Sequence, residues 1–405
     1  MENMTATTTE RTGGETRSSA EKTQIYQSIV RLASWLEAND YRGYDTFDGL
    51  SSKLLRPFTF NNQFLRQVLQ QAVRRFPLNI RPLIGIGRSR STKGMGFIAR
   101  GYMRLHQATG DPTWREKAQG VLQWLIEHQS KGYSGACWGN HFDYQARGDF
   151  YLPAGVPTVV WTSLIGHAFL DAYDAYHQDE YLQIAASACE HIQRDLHATA
   201  DGDALCISYT PIHHSMVHNA NSLGGSLLAR VYSYTRNEPF RILAEKSIAY
   251  TARYQRPDAS WYYGEAPYYH WVDNFHTAYV LDSFKYYAQG TGDRRFHPGL
   301  IKGYEYWKKT FFLADGTSRY YDHKTYPIDI QCCSQAIDTL VFFNDLDPES
   351  LPLALNVAQW TIEHLQDSSG YFYYRQYPWL TNRTPTLHWG QATMLCALAG
   401  LYKLL

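Results

Sequence analysis

The sequence predicts an all-α chain wound as an (α/α)6-type toroid of about six helical hairpins, with short aromatic β-hairpin loops on one rim. Three observations predict it. Apolar residues recur with helical period along most of the chain. The first helices of successive pairs begin near residues 94, 158, 218, 275, 330 and 387, an internal repeat. The same kind of join links the two helices of several pairs, and a turn-and-aromatic loop follows each pair.

Residues 1–21 are polar, without a hydrophobic period, and read as a disordered tail, so that one domain fills 22–405. Weaker helical patterns span about 22–38 and 60–75. "GMGFIARGYMRLHQATGD" opens the first strong pair, and "PTWREKAQGVLQWLIEHQ" (112–129) completes it. In that second helix Trp114, Ala118, Val121, Leu122 and Leu125 share a face, and Pro112 suits a first turn. A helix starting near Thr158 pairs with "EYLQIAASACEHIQRDL", and "HNANSLGGSLLARVYSYTRNE" pairs with "PFRILAEKSIAYTARYQ". "NFHTAYVLDSFKYYAQGTGD" then precedes "FHPGLIKGYEYWKKTFF", and "DIQCCSQAIDTLVFFND" precedes "SLPLALNVAQWTIEHLQ". The last helix is "LHWGQATMLCALAGLYKLL". An open solenoid would use the same hairpins. Small residues on the first helices, such as Gly224, Gly225 and Ala229, favour a closed ring, since they let helices approach closely. Trp114, Trp124, Trp307 and Trp360 fall on the outer helices and belong to the core.

Acidic and basic residues balance at 38 each in 405 residues. That balance argues against nucleic acid or an acidic membrane surface as the main partner. No secretory signal opens the chain, and no apolar run reaches the length of a membrane span. Cys137, Cys189, Cys206, Cys332, Cys333 and Cys396 are scattered and include a vicinal pair, which fits reduced thiols in the cytoplasm better than a disulfide framework. No metal or other cofactor is expected: Cys137, Cys332, Cys333 and His276 lack C-x-x-C or H-x-x-x-H spacing. "GIGRSRSTKGMG" (85–96) is not a P-loop. Its Arg88, Arg90 and Lys93 read as solvated surface, with an anion-holding role as the alternative.

The polar residues collect where the first helices begin. "PAGVPTVVW" (153–161), "SMVHNANSL" (215–223), "WVDNFHTAY" (271–279), "YPIDIQCCS" (326–334) and "TPTLHWGQA" (384–392) would all meet on one rim of a toroid. That brings together His218, Asn219, Asn221, Asp273, Asn274, His276, Asp329, Gln331, His388 and Gln391. Any one Asp there reads equally well as a helix N-cap, and any one His as a hydrogen-bonded structural residue. Recurrence at equivalent repeat positions points instead to a shared site. The loops above add rings with polar tips: Trp138, Tyr144, Tyr209, Trp261, Tyr263, Trp271, Tyr374 and Trp389, with Arg375 beside them. Such rings suit a surface apolar on one side and wet on the other, and a sugar presents both kinds of face.

Two chemistries fit this rim. A pair drawn from His218, His276 and His388 can move a proton at a sugar carbon beside a carbonyl or carboxyl group, giving an epimerase or lyase. Alternatively Asp143, Glu265 and Asp273 supply the two carboxyl groups of a glycoside hydrolase. A non-catalytic glycan-binding protein is the third reading.

Several stretches resemble a family of polysaccharide biosynthesis proteins of the VpsJ type: "YDTFDGLSSKL" (44–54), "CWGNHFDYQAR" (137–147), "GVPTVVWT" (155–162), "CISYTP" (206–211), "VHNANSLGGSLLARV" (217–231) and "WYYGEAPYYHWVDNFHTAYVLDSF" (261–284). The resemblance covers most of residues 24–404. It implies an α/α toroid akin to uronyl hydrolases, N-acylglucosamine epimerases and polysaccharide lyases. It also implies a role in making or modifying exopolysaccharide, beside the polysaccharide synthesis machinery, and it assigns no catalytic residue. Where the family's first motif has Pro-Tyr this chain has Thr46-Phe47, which removes a phenol and takes weight from Asp48.

Overall fold

The computed structural model describes residues 6–146 and 150–405, with the backbone alone for 6–18. The chain opens with α1 (Ala6–Ala38) and a shorter α2 (Gln63–Arg75). Five hairpins follow: α3 (Thr92–Thr109) with α4 (Pro112–Glu127), α5 (Val159–Tyr176) with α6 (Asp179–Arg194), α7 (His218–Thr235) with α8 (Glu238–Arg253), α9 (Asn274–Thr291) with α10 (His297–Phe311), and α11 (Ile330–Phe342) with α12 (Ser350–Leu365). The last helix is α13 (Ala392–Leu404).

The odd-numbered helices from α3 to α13 pack each against the next, and α13 returns to α3, so the inner ring closes. The two ends of the chain make the sixth pair: α1 packs on α13 and α12 and fills the remaining outer place. Its helix runs through residues 6–21, part of the segment whose composition predicts a disordered tail; residues 1–5 lie outside the described residues. The apolar face from Ile25 to Leu36 is buried in the core, and a helix anchored there propagates N-terminally at one hydrogen bond per residue.

The recurring joins have a local cause. In "ATGDPTW", Gly110 takes a positive φ of 72° as the C-cap of α3, and Asp111 then caps α4 by accepting the Thr113 N–H at 2.9 Å. "GTGDRRF" opens the same way, with Gly292 at φ 76°, but Asp293 accepts the Arg295 N–H at 3.0 Å in a turn ahead of α10, whose N-cap Phe296 makes no side-chain cap. In both, a glycine takes the αL conformation and the acid after it accepts the N–H two residues on, which turns the chain back on itself.

Strands are few and short. β1 (Tyr144–Gln145) pairs with β2 (Tyr151–Leu152), β3 (Ala198–Asp201) with β4 (Ala204–Ile207), and β5 (Ile328–Asp329) with β6 (Arg375–Tyr377), which also pairs with β7 (Leu380–Asn382). Of the aromatic loops, "ADGDALCISY" makes the β3–β4 hairpin, while "ADGTSRYYDH" and "DSSGYFYYRQ" are turns closed by the single bridges Phe312–Ser318 and Gln366–Phe372.

The inner helices approach closely where the sequence places glycine. A Cβ on Gly290 of α9 would stand 2.4 Å from the Ala229 carbonyl oxygen of α7. Backbone cannot give way as a flexible side chain can, so Gly290→Ala costs about 1–3 kcal/mol of stability. Gly120→Ala, on the open side of α4 with nothing within 4 Å, is the control and leaves the denaturation midpoint unchanged or higher.

Candidate active site

The helix starts converge as the repeat requires. One cleft of about 320 Å³ takes Lys93 from the start of α3, Trp161 from α5, Asn219 from α7, Phe275 and His276 from α9, and His388 and Trp389 from the turn before α13. Its volume falls in the range of small-molecule sites. The segment between α1 and α3 lies across the mouth: Phe47, and Gln67, Gln71, Arg74 and Arg75 of α2, line it too. The β1–β2 hairpin contributes Tyr144 and Gln145, and the loops before α7, α9 and α11 contribute Tyr209, Tyr263, Trp271, Tyr320 and Tyr321.

Two histidines that line this cleft, His276 and His388, are each paired with an aspartate: Asp273, which stands behind His276, and Asp45, which also lines the cleft. Asp273 is the N-cap of α9: its Oδ1 accepts the His276 backbone N–H at 3.0 Å, while its Oδ2 stands 2.7 Å from His276 Nδ1. The Trp271 indole N–H donates to the same Oδ2 at 2.8 Å. Ring orientation and tautomer are thereby set, with Nδ1–H toward the acid and Nε2 available. The Tyr263 ring lies 4.5 Å from the His276 ring and stacks on Trp271 at 4.6 Å.

The second pair comes from distant parts of the chain. His388 sits in a π-helical turn, Leu387–Gln391, a geometry that often marks functional sites. Its Nδ1 stands 2.5 Å from Asp45 Oδ2 and 3.3 Å from Ser91 Oγ. Asp45 is itself held: its Oδ1 accepts the Phe47 N–H at 3.1 Å, its own N–H donates to Asp48 Oδ2 at 3.0 Å, and Arg81 donates to both its carbonyl and the Asp48 carboxylate. Burial outweighs the nearby carboxylate and lowers the His388 pKa. We take the pair as neutral imidazole beside ionised Asp45, and burial pushes Asp48 up to about 6 against the pull of Arg81. His141, also facing Asp45 and His388, is pushed down to about 4 by burial.

Lys93 is a correction to the sequence reading. It is 3% exposed and lines the cleft, with its ammonium 5.0 Å from the Trp161 ring centroid, 5.6 Å from Tyr279, 5.7 Å from Trp389 and 5.9 Å from Phe97. Burial lowers its pKa to about 7, with Asp45 opposing. Helical phase explains the position: Ser91 caps α3, which turns Lys93 inward with the first buried turn. Arg88 and Arg90 stay on the outside, bonded to Asn39 and Asp40.

Five buried polar atoms on the cleft wall have no hydrogen-bond partner among the described residues: His388 Nε2, Trp161 Nε1, Asn140 Oδ1, Asn219 Oδ1 and Asp45 Oδ2, the last making only its ion-pair contact with His388. Unpaired buried polar atoms are rare. Several on one wall suit a ligand rich in hydroxyl groups.

Of the residues expected from the sequence, His276, His388, Tyr144, Tyr209, Asn219, Tyr263, Trp271 and Trp389 line this cleft. His218 and Glu265 do not. They pair at 2.6 Å behind the wall, where His218, Asp273 and His276 border a void of about 10 Å³. Asp143 accepts the Ala154 N–H at 2.8 Å and pairs with Arg56, fastening the β1–β2 hairpin. Trp138 and Trp261 are core, their indoles donating to the Leu125 and Thr251 carbonyls. Asn221 bridges the Ile207 N–H to Ser247 and Thr251, and Asn274 accepts from the Trp307 indole. Gln331 donates to the Tyr279 hydroxyl, one shell behind the cleft. Arg375 is paired with Asp329, and the buried Tyr374 hydroxyl accepts from Arg74. Asp45, Asn140, Trp161 and Tyr279 were not singled out from the sequence.

No family model matches the chain, and no curated protein does, so the polysaccharide-biosynthesis family that its motifs resemble finds no support there. Solved structures do match. A cellobiose 2-epimerase from Bacillus thermoamylovorans is 12% identical, with 76% of this chain and 87% of that one covered and a TM-score of 0.59. A GH76 α-mannanase from Bacteroides thetaiotaomicron is 12% identical over 78% and 87%, with a TM-score of 0.61. An unsaturated glucuronyl hydrolase specific for heparin is 11% identical over 95% and 97%, also with a TM-score of 0.61. The fold is the α/α toroid. Neighbours with this fold are carbohydrate epimerases, lyases and glycoside hydrolases.

Proposed function

We propose that this chain is a carbohydrate-active enzyme of the epimerase or lyase type, moving a proton at a sugar carbon next to a carbonyl or carboxyl group. The observation that carries this is the presence in one cleft of two imidazoles, His276 and His388, each paired with an aspartate, Asp273 and Asp45. One imidazole takes the carbon-bound proton. The electron pair moves onto the adjacent oxygen as an enediolate, and the Lys93 ammonium offers that charge a partner. Return of a proton by the other imidazole on the opposite face gives the epimer; expulsion of a leaving group from the next carbon gives the unsaturated lyase product. His388, buried and biased toward neutrality, suits the base. His276, whose side chain is 19% exposed, can exchange its proton with solvent.

Lys93, Arg74 and Arg75 around the cleft favour an anionic sugar such as a uronate. A hydrolase fits less well. The acids expected for it are engaged: Asp273 with His276, Glu265 with His218 and Asp143 with Arg56. We place the enzyme in exopolysaccharide synthesis on the strength of the motif resemblance, and in the cytoplasm because all six cysteines are buried and unpaired.

The test is incubation with uronate-containing and neutral oligosaccharides in heavy water. An epimerase gives deuterium on carbon at the inverted centre, and a lyase gives an unsaturated product. Hydrolysis with no carbon-bound deuterium would overturn the proposal.

A further inference from the structure

The segment that roofs the cleft carries a charge pattern hidden by the balanced total. Residues 49–91 contain eight Lys or Arg and no Asp or Glu. Among the described residues Arg56, Arg81 and Arg90 have carboxylate partners, whereas Lys53, Arg66 and Arg75 have none. The same segment exposes apolar groups that a folded surface ordinarily covers. Ten of the twenty-one exposed large hydrophobic residues among the described residues fall between Leu54 and Leu83, with Phe60 and Leu83 each 78% exposed.

α2 organises them. Its Leu69 and Val73 pack inward on Tyr44 and Ile86, its Gln67, Gln71 and Arg74 face the cleft, and Phe64, Leu65 and Val68 face out. Phe58 and Phe60 extend the outer face, and a shallow depression beside them is lined by Ser52, Lys53, Arg56 and Asn61. The β6–β7 hairpin is fastened to the end of α2 by Asn382 Nδ2 donating to the Phe76 carbonyl at 2.9 Å, and its turn presents Trp379, 91% exposed.

We infer that this face docks on an anionic lipid bilayer, with the cleft opening toward the membrane surface. A second copy meeting the face symmetrically would set basic residues against basic residues. Nucleic acid would use the bases but not the exposed Leu and Val. A bilayer takes both: phosphate headgroups receive the Lys and Arg, and the interfacial region receives Phe, Leu and Trp. Among the described residues no helix is long and apolar enough to cross a membrane, and surface docking needs none. Net charge alone argues against an acidic membrane because it averages this lobe with the acidic remainder. The inference stands apart from the chemistry of the cleft.

The experiment is cosedimentation of the full chain with phosphatidylcholine vesicles, with and without phosphatidylglycerol. Binding to the anionic vesicles should exceed binding to the neutral ones by about tenfold or more at low salt and fall as salt rises. The triple variant Phe58→Ser, Phe60→Ser, Phe64→Ser should lose that binding while its thermal unfolding stays at the wild-type midpoint, since these rings are exposed. Lys53→Glu with Arg66→Glu should weaken it independently. Equal or absent binding to both vesicle types would overturn the inference. So would a concentration-dependent dimer that the triple variant dissolves, since a second copy would then cover the face.

Discussion

On the proposed epimerase reading, His388→Ala and His276→Ala are each expected to lose epimerisation by about 10²–10⁴-fold, the scale of a positioned acid or base. The more telling result is what each variant keeps. With one imidazole on each face of the substrate, removing His388 should still let His276 exchange the proton of one epimer with solvent, and removing His276 should leave exchange of the other. Mass spectrometry of each epimer recovered from heavy water reads this directly. Loss of both exchanges in both variants would mean the two rings act on the same face. Asp45→Asn separates positioning from proton transfer. The amide can donate to Nδ1 rather than accept from it, so the favoured tautomer puts the proton on Nε2 and leaves no lone pair for the substrate. The substrate KM should hold while kcat falls, and Asp48→Asn, one contact further from the ring, should cost less.

The sequence makes the repeat legible because helix caps are local. Ser91, Asp111, Thr158, Asp273 and Asp329 each bond their own helix's first N–H groups, so a reader of the chain can find them by spacing. The inner helices expected near 158, 275 and 330 begin at Val159, Asn274 and Ile330 for that reason, and the one expected near 218 begins at His218 without a side-chain cap. The His276–Asp273 pair was within reach for the same cause: three residues of one helix turn. The His388–Asp45 contact was not, since 343 positions separate its partners and only ring closure brings α13 back to the loop after α1. Aromatic content misled in one respect. Trp138 and Trp261 stand in loops like Trp271 and Trp389, but their indole N–H groups find backbone carbonyls inside the core. Whether a ring is wall or core depends on a partner that local spacing does not reveal. Lys93 was read as surface for a related reason: a cation among small residues has no local sign that Trp161, Tyr279 and Trp389 from distant parts of the chain will join Phe97 of its own helix around it.

Lys93→Met is expected to make a more stable and less active protein. In the unfolded chain this amine keeps its proton up to its usual range near 10.5, whereas in the fold burial brings it down to about 7. Between those values the unfolded chain binds more protons, so wild-type stability gains from this residue as pH rises from about 7 toward 10. Below that window both states are charged, and the fold bears the full penalty of a buried ammonium, only partly offset by Asp45 and the surrounding rings. Each pH unit by which a pKa moves is worth about 1.4 kcal/mol, so methionine, similar in length and neutral, should raise stability at pH 6 by a few kcal/mol and flatten the rise above neutrality. Urea denaturation on both sides of the window measures it. The catalytic side runs the other way. In the proposed reaction an anionic sugar entering the cleft restores the proton on Lys93, and that ammonium then meets the enediolate as it forms. Its removal should lower kcat by about 10²–10³-fold, the cost of losing one oxyanion donor, and raise KM for uronates more than for neutral sugars. A Lys93→Met enzyme with wild-type kcat would rule the amine out of the reaction. A gain in stability coupled to a loss in turnover would mark it as a charge the fold tolerates for the sake of its substrate.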